Sequence, residues 1–212
     1  MNAAVALVIA YTAGSIPSAY IAGRVVKGID LRTVGSGNLG ATNVYRSLGG
    51  KVAAVVFAVD MLKGALPAAL LPALVLPAEA MGPDRATWWA LAFGIAAIVG
   101  HAKPVFLLWK GGGKGVATAA GIFAALSPVP LVIALGFFAA VLWRTGYVSA
   151  GSLTGAVVLP ALLAWMYGVR SPLTIVAVLV CIFVFWSHRA NIKRLRDGTE
   201  HRFGRSKSGE AV

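Results

Sequence analysis

Charged side chains are scarce in this sequence of 212 residues, and acidic ones are the scarcest. Lys, Arg, Asp and Glu together make up 12% of the chain, about half of their usual share in a soluble protein. Apolar residues make up 58%, and the mean hydropathy is +0.81. Because a disordered chain needs low hydrophobicity, disorder is excluded, and the composition indicates a membrane protein.

Cysteine and histidine are also scarce, which argues against a disulfide or a metal centre. Cys181 is the single cysteine and cannot form an internal disulfide; it lies in an apolar run, where packing is its expected role. His101, His188 and His201 are far apart in the sequence, whereas metal ligands come at short, regular spacings. We therefore expect no metal ion and no other cofactor.

Positive charge is in excess, with 19 Lys and Arg against 7 Asp and Glu and a net charge of +12. The basic residues occur in short clusters between long apolar runs. A nucleic-acid-binding domain carries such charge on a soluble surface, so nucleic acid is excluded as a partner. The lipid bilayer is the expected surrounding of the chain instead.

Long stretches without charge mark the candidate membrane spans, because a helix needs about 20 residues to cross a bilayer. The uncharged stretches are residues 1–23, 86–102, 115–143, 145–169 and 171–188, and a further apolar stretch, residues 52–78, contains two charges, Asp60 and Lys63. Ser-Pro-Val-Pro at residues 127–130 interrupts the stretch 115–143. That interruption predicts either two short tilted helices or a re-entrant hairpin, and we favour two helices.

The distribution of basic residues predicts the orientation of these spans, because Lys and Arg concentrate in cytoplasmic loops. Of the 19, 16 lie in residues 24–51, 103–114, 144 and 189–212, while the opposite loops hold Arg85 and Arg170. The N-terminal stretch has no Lys or Arg before its apolar run, unlike a signal peptide, and is expected to be kept as the first span. We predict one all-α domain, residues 1–212, with seven transmembrane helices. The fourth and fifth helices are short, the N-terminus is outside and the C-terminus is cytoplasmic.

Three polar segments lie on the predicted cytoplasmic side, and the first reads GSGNLGATNVYR, residues 35–46. Glycines allow successive backbone N–H groups to point into one concavity, and such nests bind anions. The candidate binding residues are Gly35, Ser36, Gly37, Asn38, Thr42, Asn43 and Arg46. A flexible connector is the alternative, and the spacing alone leaves it open.

The second segment reads KGGGKGVAT, residues 110–118, and leads into the next apolar stretch. A glycine-rich turn before a helix N-terminus suits a phosphate, because the backbone N–H groups and the helix dipole both favour an anion. The candidate residues are Gly112, Gly113, Lys114 and Gly115. A Walker loop needs Ser or Thr directly after its lysine, and Gly115 stands there, so an NTPase is rejected. A basic loop against lipid headgroups remains the alternative.

The third segment reads HRANIKRLR, residues 188–196, and continues the last span. His188 and Asn191 are three residues apart and share one helical face. A positively charged membrane anchor accounts for the arginines and lysines of this segment, but it requires neither His188 nor Asn191. We therefore take both residues as candidates for the functional site.

Polar side chains within the apolar stretches are fewer. Charges inside a span are costly unless they are paired, so Asp60 and Lys63 predict an ion pair that faces the bundle and supports the site. Ser149 and Ser152 begin the sixth predicted span, where serines pack helices or contact a ligand. Together these residues predict a cytoplasmic pocket rich in anion donors and poor in carboxylates, which suits a phosphorylated, partly lipidic substrate.

In these motifs the chain resembles the bacterial acyl-phosphate:glycerol-3-phosphate acyltransferases, small integral membrane enzymes of phospholipid synthesis. The resemblance covers nearly the whole chain and rests on residues 14–17, 35–46, 60–64, 100–101, 104–106, 110–118, 188–195 and 198–203. It implies seven transmembrane helices in the bacterial inner membrane. It also implies transfer of an acyl chain from acyl phosphate to the 1-hydroxyl of glycerol 3-phosphate, giving lysophosphatidic acid and inorganic phosphate.

The resemblance further implies which residues do the work. The family's active-site positions fall on Ser36, Arg46, Lys114, His188 and Asn191. One departure is the third glycine between Lys110 and Lys114, where the family form has two; we take Lys114 as the phosphate ligand. Because acyl phosphate is already activated, we expect direct transfer by a monomer, with Ser36 and His188 as the catalytic residues. Ser36 donates to the phosphate or the carbonyl, and His188 orients a substrate or a neighbouring side chain. Either His188 or a substrate phosphate takes the hydroxyl proton.

Two other functions fit the sequence less well. A membrane transporter of a phosphorylated solute would place its site near the bilayer midplane, where this sequence is apolar. A soluble-loop acyltransferase that uses acyl-CoA would have Asp five positions after a histidine. The residues at those positions are Phe106, Lys193 and Ser206, which favours the acyl-phosphate class.

Overall fold

The structure is a computed structural model that describes residues 1–75 and 82–203. Over these residues the chain forms helices joined by turns and loops, without a strand. The ten α-helices are α1 Ala3–Gly14, α2 Ser18–Lys27, α3 Ala41–Leu48, α4 Gly50–Val75, α5 Pro83–Ala102, α6 Val116–Leu126, α7 Pro128–Thr145, α8 Val148–Tyr167, α9 Pro172–Ser187 and α10 Arg189–Arg196, with a 3-10 turn at Val105–Leu107. The predicted all-α class is confirmed for the described part of the chain.

Most of these helices have the length and composition of membrane spans. In the described part of the chain, five helical stretches qualify: Ala3–Lys27, Gly50–Val75, Pro83–Leu107, Pro128–Thr145 and Val148–Tyr167. α9 and α10, bent by 59° relative to each other, give a sixth if they are counted as one span. α6 is apolar but has only 11 residues. The chain is therefore a multi-pass membrane protein.

The break predicted at residues 127–130 is present between α6 and α7. α7 begins at Pro128, which suits the first turn of a helix because that turn needs no N–H from it. The short helix predicted before the break is present, since α6 has 11 residues. The helix after the break, also predicted to be short, is longer: α7 has 18 residues and runs past Arg144 to Thr145. The helix is longer at both ends than the uncharged run 131–143: Pro128–Pro130 form its first turn, where proline is tolerated, and Arg144 can extend into the headgroup region.

The first predicted span is two helices rather than one. Pro17 separates α1 from α2, because its ring fixes φ and it has no N–H to continue a helix. The carbonyl of Ile16, in the break, accepts the N–H of Ser18 at 3.0 Å and a second hydrogen bond from Lys63 Nζ of α4 at 3.2 Å. The break between α1 and α2 is thus tied to a charged group of α4.

Glycines bring the central helices into close contact. A Cβ on Gly64 of α4 would overlap the backbone of Thr118, and a Cβ on Gly121 of α6 would overlap that of Met61. Small residues of this kind let membrane helices approach closely. The short α6 is therefore held directly against α4, which fixes the position of the glycine-rich loop that precedes α6.

Candidate functional site

All three polar segments meet at one end of the helix bundle, around a cavity of about 400 Å³. The predicted site residues that line this cavity are Ser36, Asn38, Thr42, Asn43, Arg46, Lys114, Gly115, Ser152, His188 and Asn191. Gly35, Gly37, Gly112 and Gly113 do not line it. The cavity also has an apolar side, to which α4 contributes Phe57 and α7 contributes Phe138 and Leu142.

The first segment is a loop built around the buried amide of Asn43. Its Oδ1 accepts the backbone N–H of Ser36 at 3.1 Å, and its Nδ2 donates to the carbonyls of Leu31 and Val34 at 3.1 and 3.0 Å. Gly35 has a left-handed φ of 63°, and a Cβ there would overlap Asn43 Oδ1. The amide of Asn43 therefore shapes the loop, and the glycine at position 35 is what lets it come so close.

Asn38 connects this loop to the glycine-rich loop. With its amide oriented by the hydrogen-bond network, Nδ2 donates to the carbonyl of Gly112 at 3.1 Å, and Oδ1 accepts from the N–H of Gly40 at 3.3 Å. The N–H of Leu39 donates to the same Gly112 carbonyl at 3.2 Å. Two segments that are more than 70 residues apart in the sequence are thus fixed side by side.

The glycine-rich loop presents Lys114 to the cavity. Burial lowers the pKa of the Lys114 ammonium to about 8, although the nearby carboxylate of Glu200 acts in the opposite direction. The N–H of Gly113 is not free to bind a phosphate, because it donates to the carbonyl of His101 at 3.1 Å. Gly112 and Gly113 face a second groove, so of the predicted loop residues only Lys114 and Gly115 line the cavity.

His188 lies at the bend between α9 and α10 and is buried. Its Nδ1 lies 2.8 Å from the carbonyl oxygen of Val184. Because a carbonyl can only accept, Nδ1 carries the proton in the neutral ring, and Nε2 is left with a free lone pair. The bend therefore delivers a proton acceptor to the cavity wall.

Asn191, one turn further on, joins two groups of opposite charge. Its Oδ1 accepts a hydrogen bond from Lys114 Nζ, and its Nδ2 donates to Glu200 Oε1 at 2.7 Å. Glu200 also accepts from Ser149 Oγ at 3.0 Å and from Arg194 Nε at 2.6 Å. Burial alone would raise the pKa of Glu200, but these hydrogen bonds outweigh it and hold the pKa below its usual value.

Glu200 is a site residue that the sequence reasoning did not single out. Its side chain is 4% exposed and lines the cavity. Glu200 lies in a segment that packs over the site and is held at Phe203. The Phe203 ring stacks on Tyr45 of α3, with 4.3 Å between ring centroids, and the backbone N–H of Phe203 donates to the carbonyl of Gly146 at 2.6 Å. An acidic residue within a strongly basic tail was the available signal.

The predicted ion pair within α4 is confirmed. Lys63 Nζ lies 2.7 Å from Asp60 Oδ1, and both side chains are buried. Asp60 Oδ1 also accepts from Ser18 Oγ at 2.6 Å and lies 3.7 Å from His101 Nδ1. Asp60 and His101 line the cavity floor. His101 supports the glycine-rich loop directly, because a Cβ on Gly113 would overlap its ring.

The two serines of α8 differ in their contacts. Ser149 donates to Glu200, as described above, whereas Ser152 Oγ donates to the carbonyl of Val148 in its own helix at 2.9 Å. Ser36 lies at the exposed edge of the cavity. Within residues 1–75 and 82–203, no cluster of three or more His, Cys, Asp and Glu side chains has the arrangement of a metal site.

Comparisons with known proteins agree with the resemblance carried by the motifs. Residues 4–198 match the family model described as glycerol-3-phosphate acyltransferase. A glycerol-3-phosphate acyltransferase of Geotalea daltonii is 42% identical over 97% of this chain and all of its own length. One of Geobacter metallireducens is 48% identical over 92% of this chain and 94% of its own.

Solved structures agree as well. The crystal structure of PlsY (YgiH), an integral membrane glycerol 3-phosphate acyltransferase in its glycerol 3-phosphate form, superposes with a TM-score of 0.82. It is 37% identical in sequence, and the match covers 95% of this chain and 96% of that one. Its lysophosphatidic acid form gives a TM-score of 0.81. The chain belongs to the glycerol-3-phosphate acyltransferase family.

Proposed function

We propose that this protein transfers a fatty acyl group from acyl phosphate to the 1-hydroxyl of glycerol 3-phosphate, without a metal ion or cofactor. The observation that carries the proposal is the two-sided cavity: Arg46 and Lys114 lie on its polar side, and the side chains of α4 and α7 form its apolar side. A transporter would not need this arrangement at one end of the bundle, and the family of the chain is an enzyme family.

The polar side fits glycerol 3-phosphate. A relative that is 37% identical has been solved in its glycerol 3-phosphate form. In this chain Arg46 supplies a planar guanidinium and Lys114 a compact ammonium, which together suit a dianionic phosphate. Thr42 and Asn191 add neutral groups beside the two cations. We assign the phosphate of the acceptor to Arg46 and Lys114.

The apolar side fits the acyl chain of the donor. Phe57 and Ala54 of α4, and Leu135 and Phe138 of α7, line this side of the cavity. These helices belong to candidate membrane spans, so a chain that enters between them stays in an apolar surrounding. The carbonyl of the donor then lies where the apolar and polar sides meet, next to the 1-hydroxyl of the acceptor.

The chemistry requires alignment and charge screening more than acid–base strength. The 1-hydroxyl oxygen attacks the acyl carbonyl carbon, the new ester bond forms, and the bond between that carbon and the phosphate oxygen breaks. Inorganic phosphate leaves with the electron pair of that bond. Fixed cations and hydrogen-bond donors stabilise the charge that develops, and holding both substrates in one cavity supplies the alignment.

Ser36 and His188 act at the reacting atoms in this proposal. The free lone pair on His188 Nε2 can take the proton of the hydroxyl, and a substrate phosphate, with a second pKa of about 6, can do so as well. Ser36 donates a hydrogen bond to the carbonyl or to the leaving phosphate. Of the remaining predicted residues, Asn38, Asn43 and Gly113 shape the site through the contacts described above.

In the bilayer we propose seven spans, counting α1 with α2 as the first and the short α6 as the fourth. The N-terminus is outside, the C-terminus is cytoplasmic, and residues 1–212 form one catalytic domain. The basic residues support this orientation, because those of residues 24–51, 103–114, 144 and 189–212 then share the cytoplasmic side. The membrane is the bacterial inner membrane, the cavity opens to the cytoplasm, and the protein acts as a monomer.

Release of inorganic phosphate by the purified protein in detergent tests this function. With acyl phosphate as donor, phosphate should appear only when glycerol 3-phosphate is present, in equal amount to lysophosphatidic acid, and at the same rate in EDTA. Acyl-CoA should give no product. Turnover with acyl-CoA would overturn the assignment of the donor, and a loss in EDTA that Mg²⁺ restores would overturn the metal-free mechanism.

A further inference from the structure

A second groove, of about 590 Å³, lies on the other face of the glycine-rich loop. Its walls are the outer faces of α5, with Ile95 and Val99, and of α9, with Leu179 and Phe183. Val99 and Leu179 are about half exposed, and both helices belong to candidate spans. The walls of this groove therefore face the hydrocarbon of the bilayer.

One end of the groove is polar and positively charged. Lys103, at the end of α5, and Arg189, at the start of α10, line that end together with the backbone of Gly111–Gly113. Arg189 is held there by two contacts with Trp186: its Nη1 donates to the Trp186 carbonyl at 3.0 Å, and its guanidinium carbon lies 4.6 Å from the centre of the ring. Among residues 1–75 and 82–203, no carboxylate lines the groove.

The glycines are what open this end. A Cβ on Gly112 would overlap the carbonyl of Ala102, so the loop lies directly on the end of α5. The groove and the catalytic cavity lie close together, since Asn38 and Lys114 border both. An anion at this end would lie on the opposite face of the same loop that presents Lys114 to the substrate.

We propose that this groove binds an anionic phospholipid of the cytoplasmic leaflet, with its phosphate between Lys103 and Arg189 and one acyl chain along α5 and α9. The depth of the groove fits one leaflet: from Ile95 to Ala102 the helix rises about 10 Å, and one leaflet contributes about 15 Å of hydrocarbon. The charge of the polar end fits an anionic headgroup better than a zwitterionic one.

The donor of the reaction is a less suitable occupant. Ser36, Arg46, His188 and Asn191 line the catalytic cavity but not this groove, so a carbonyl held here would be away from the proposed reacting groups. The assignment of a phospholipid to this groove depends on the proposed orientation of the spans. It does not depend on the proposed acyl-transfer chemistry.

Photolabelling in nanodiscs of phosphatidylcholine tests the proposal on the full chain. A trace of phosphatidylglycerol or phosphatidylcholine with a photoreactive acyl chain is added, and labelled peptides are identified by mass spectrometry. Phosphatidylglycerol should label peptides of Pro83–Ala102 and Pro172–Ser187 in preference to phosphatidylcholine, and unlabelled phosphatidylglycerol should compete. Equal labelling by both lipids would overturn the proposal, and this comparison needs no variant.

Matched variants then locate the headgroup. In the double variant Lys103→Gln, Arg189→Gln, the preference for labelling by phosphatidylglycerol over phosphatidylcholine should fall by about fivefold for each cation removed. Lys193→Gln with Arg196→Gln removes the same charge from α10 outside the groove and should leave the preference unchanged. An unchanged preference in the first pair would overturn the headgroup assignment. Competition by a non-hydrolysable acyl phosphonate would overturn the occupant, because the groove would then bind the donor. The readout is lipid labelling, so a failure here is separate from a failure of acyl transfer.

Discussion

Asn191 accepts a hydrogen bond from Lys114 Nζ through its side-chain oxygen, which joins the helix after the bend to the glycine-rich loop. The partner of the ammonium is thus an amide, while the carboxylate of Glu200 is one step further away, 2.7 Å from the amide nitrogen. An amide orients the ammonium without neutralising it, so the charge of Lys114 remains available to a phosphate.

Removing either cation of the cavity should weaken binding of the acceptor. Arg46→Ala and Lys114→Ala each delete a charge-assisted contact worth about 1.5–3 kcal/mol. The KM for glycerol 3-phosphate should therefore rise about tenfold to hundredfold, with a smaller change in kcat, as measured in steady-state assays.

Lys51→Ala is the matched control for this pair, because Lys51 is an exposed cation at the start of α4 that does not line the cavity. Its KM should equal that of the unaltered protein. A fall in kcat at unchanged KM in Arg46→Ala would contradict the assignment of the acceptor phosphate to this residue.

The pH dependence of acceptor binding should follow Lys114. Burial lowers the pKa of its ammonium to about 8, so the cation is present below that pH and is lost as the pH rises through it. In the unaltered protein kcat/KM for glycerol 3-phosphate should fall above about pH 8. Lys114→Arg should bind more weakly at neutral pH but should lack this fall, since arginine stays charged. An identical alkaline fall in both proteins would show that another group is responsible.

The motifs predicted which segments meet but not how each residue is used. The glycine-rich loop, the helical spacing and the family resemblance assign Lys114, Asn191 and His188 to one site, and the structure brings these residues together. Residue spacing in the sequence could not reveal that the side-chain amide of Asn43 holds its loop together through hydrogen bonds to the backbone. Sequence periodicity reports a helical face, whereas the role of a side chain in a loop depends on backbone groups nearby in space.

The same limit explains why the contacts of the glycine-rich loop and of Glu200 could not be predicted from the sequence. A glycine loop before a helix predicts free N–H groups, but the N–H of Gly113 is taken by the end of α5, a contact between segments that local reasoning does not include. Glu200 looked like one charge in a solvated tail, since nothing in its neighbours predicts that the tail folds back over Ser149 and Asn191.

Glu200 should be needed for both stability and the placement of Lys114. Glu200→Ala leaves the side chains of Asn191 and Ser149 buried without an acceptor, at a cost of about 1–3 kcal/mol for each. The Tm in detergent should fall. Glu200→Gln keeps one acceptor oxygen, so it should unfold at a higher temperature than Glu200→Ala while raising KM for glycerol 3-phosphate. Asp197→Asn, in the exposed part of the same tail, should change neither quantity; a wild-type KM in Glu200→Gln would contradict the placement role.

The orientation predicts where reporters should be found. A reporter fused after Val212 should be cytoplasmic, and reporters inserted at Gly82 and at Val129 should be outside, because the basic segments all lie on the other side. Val129 represents the break between α6 and α7 because its side chain is 58% exposed, whereas Ser127 is buried. Cysteine accessibility in intact cells and in inverted vesicles measures each position. A protected Val129 would mean that α6 and α7 form a re-entrant hairpin, and a cytoplasmic Gly82 would reverse the proposed topology.

Ser36 and His188 should affect the chemical step rather than binding of the acceptor. His188→Ala removes the lone pair that Nε2 presents, and Ser36→Ala removes a hydroxyl from the cavity edge. Both should lower kcat and leave KM for glycerol 3-phosphate nearly unchanged.

If Ser36 carried the acyl group, enzyme mixed with acyl phosphate alone would release one phosphate per molecule and keep an acylated serine. We expect no such burst, because direct transfer breaks the donor only when the acceptor hydroxyl is in place. Mass spectrometry that finds an acyl group on Ser36 would replace direct transfer with a two-step mechanism.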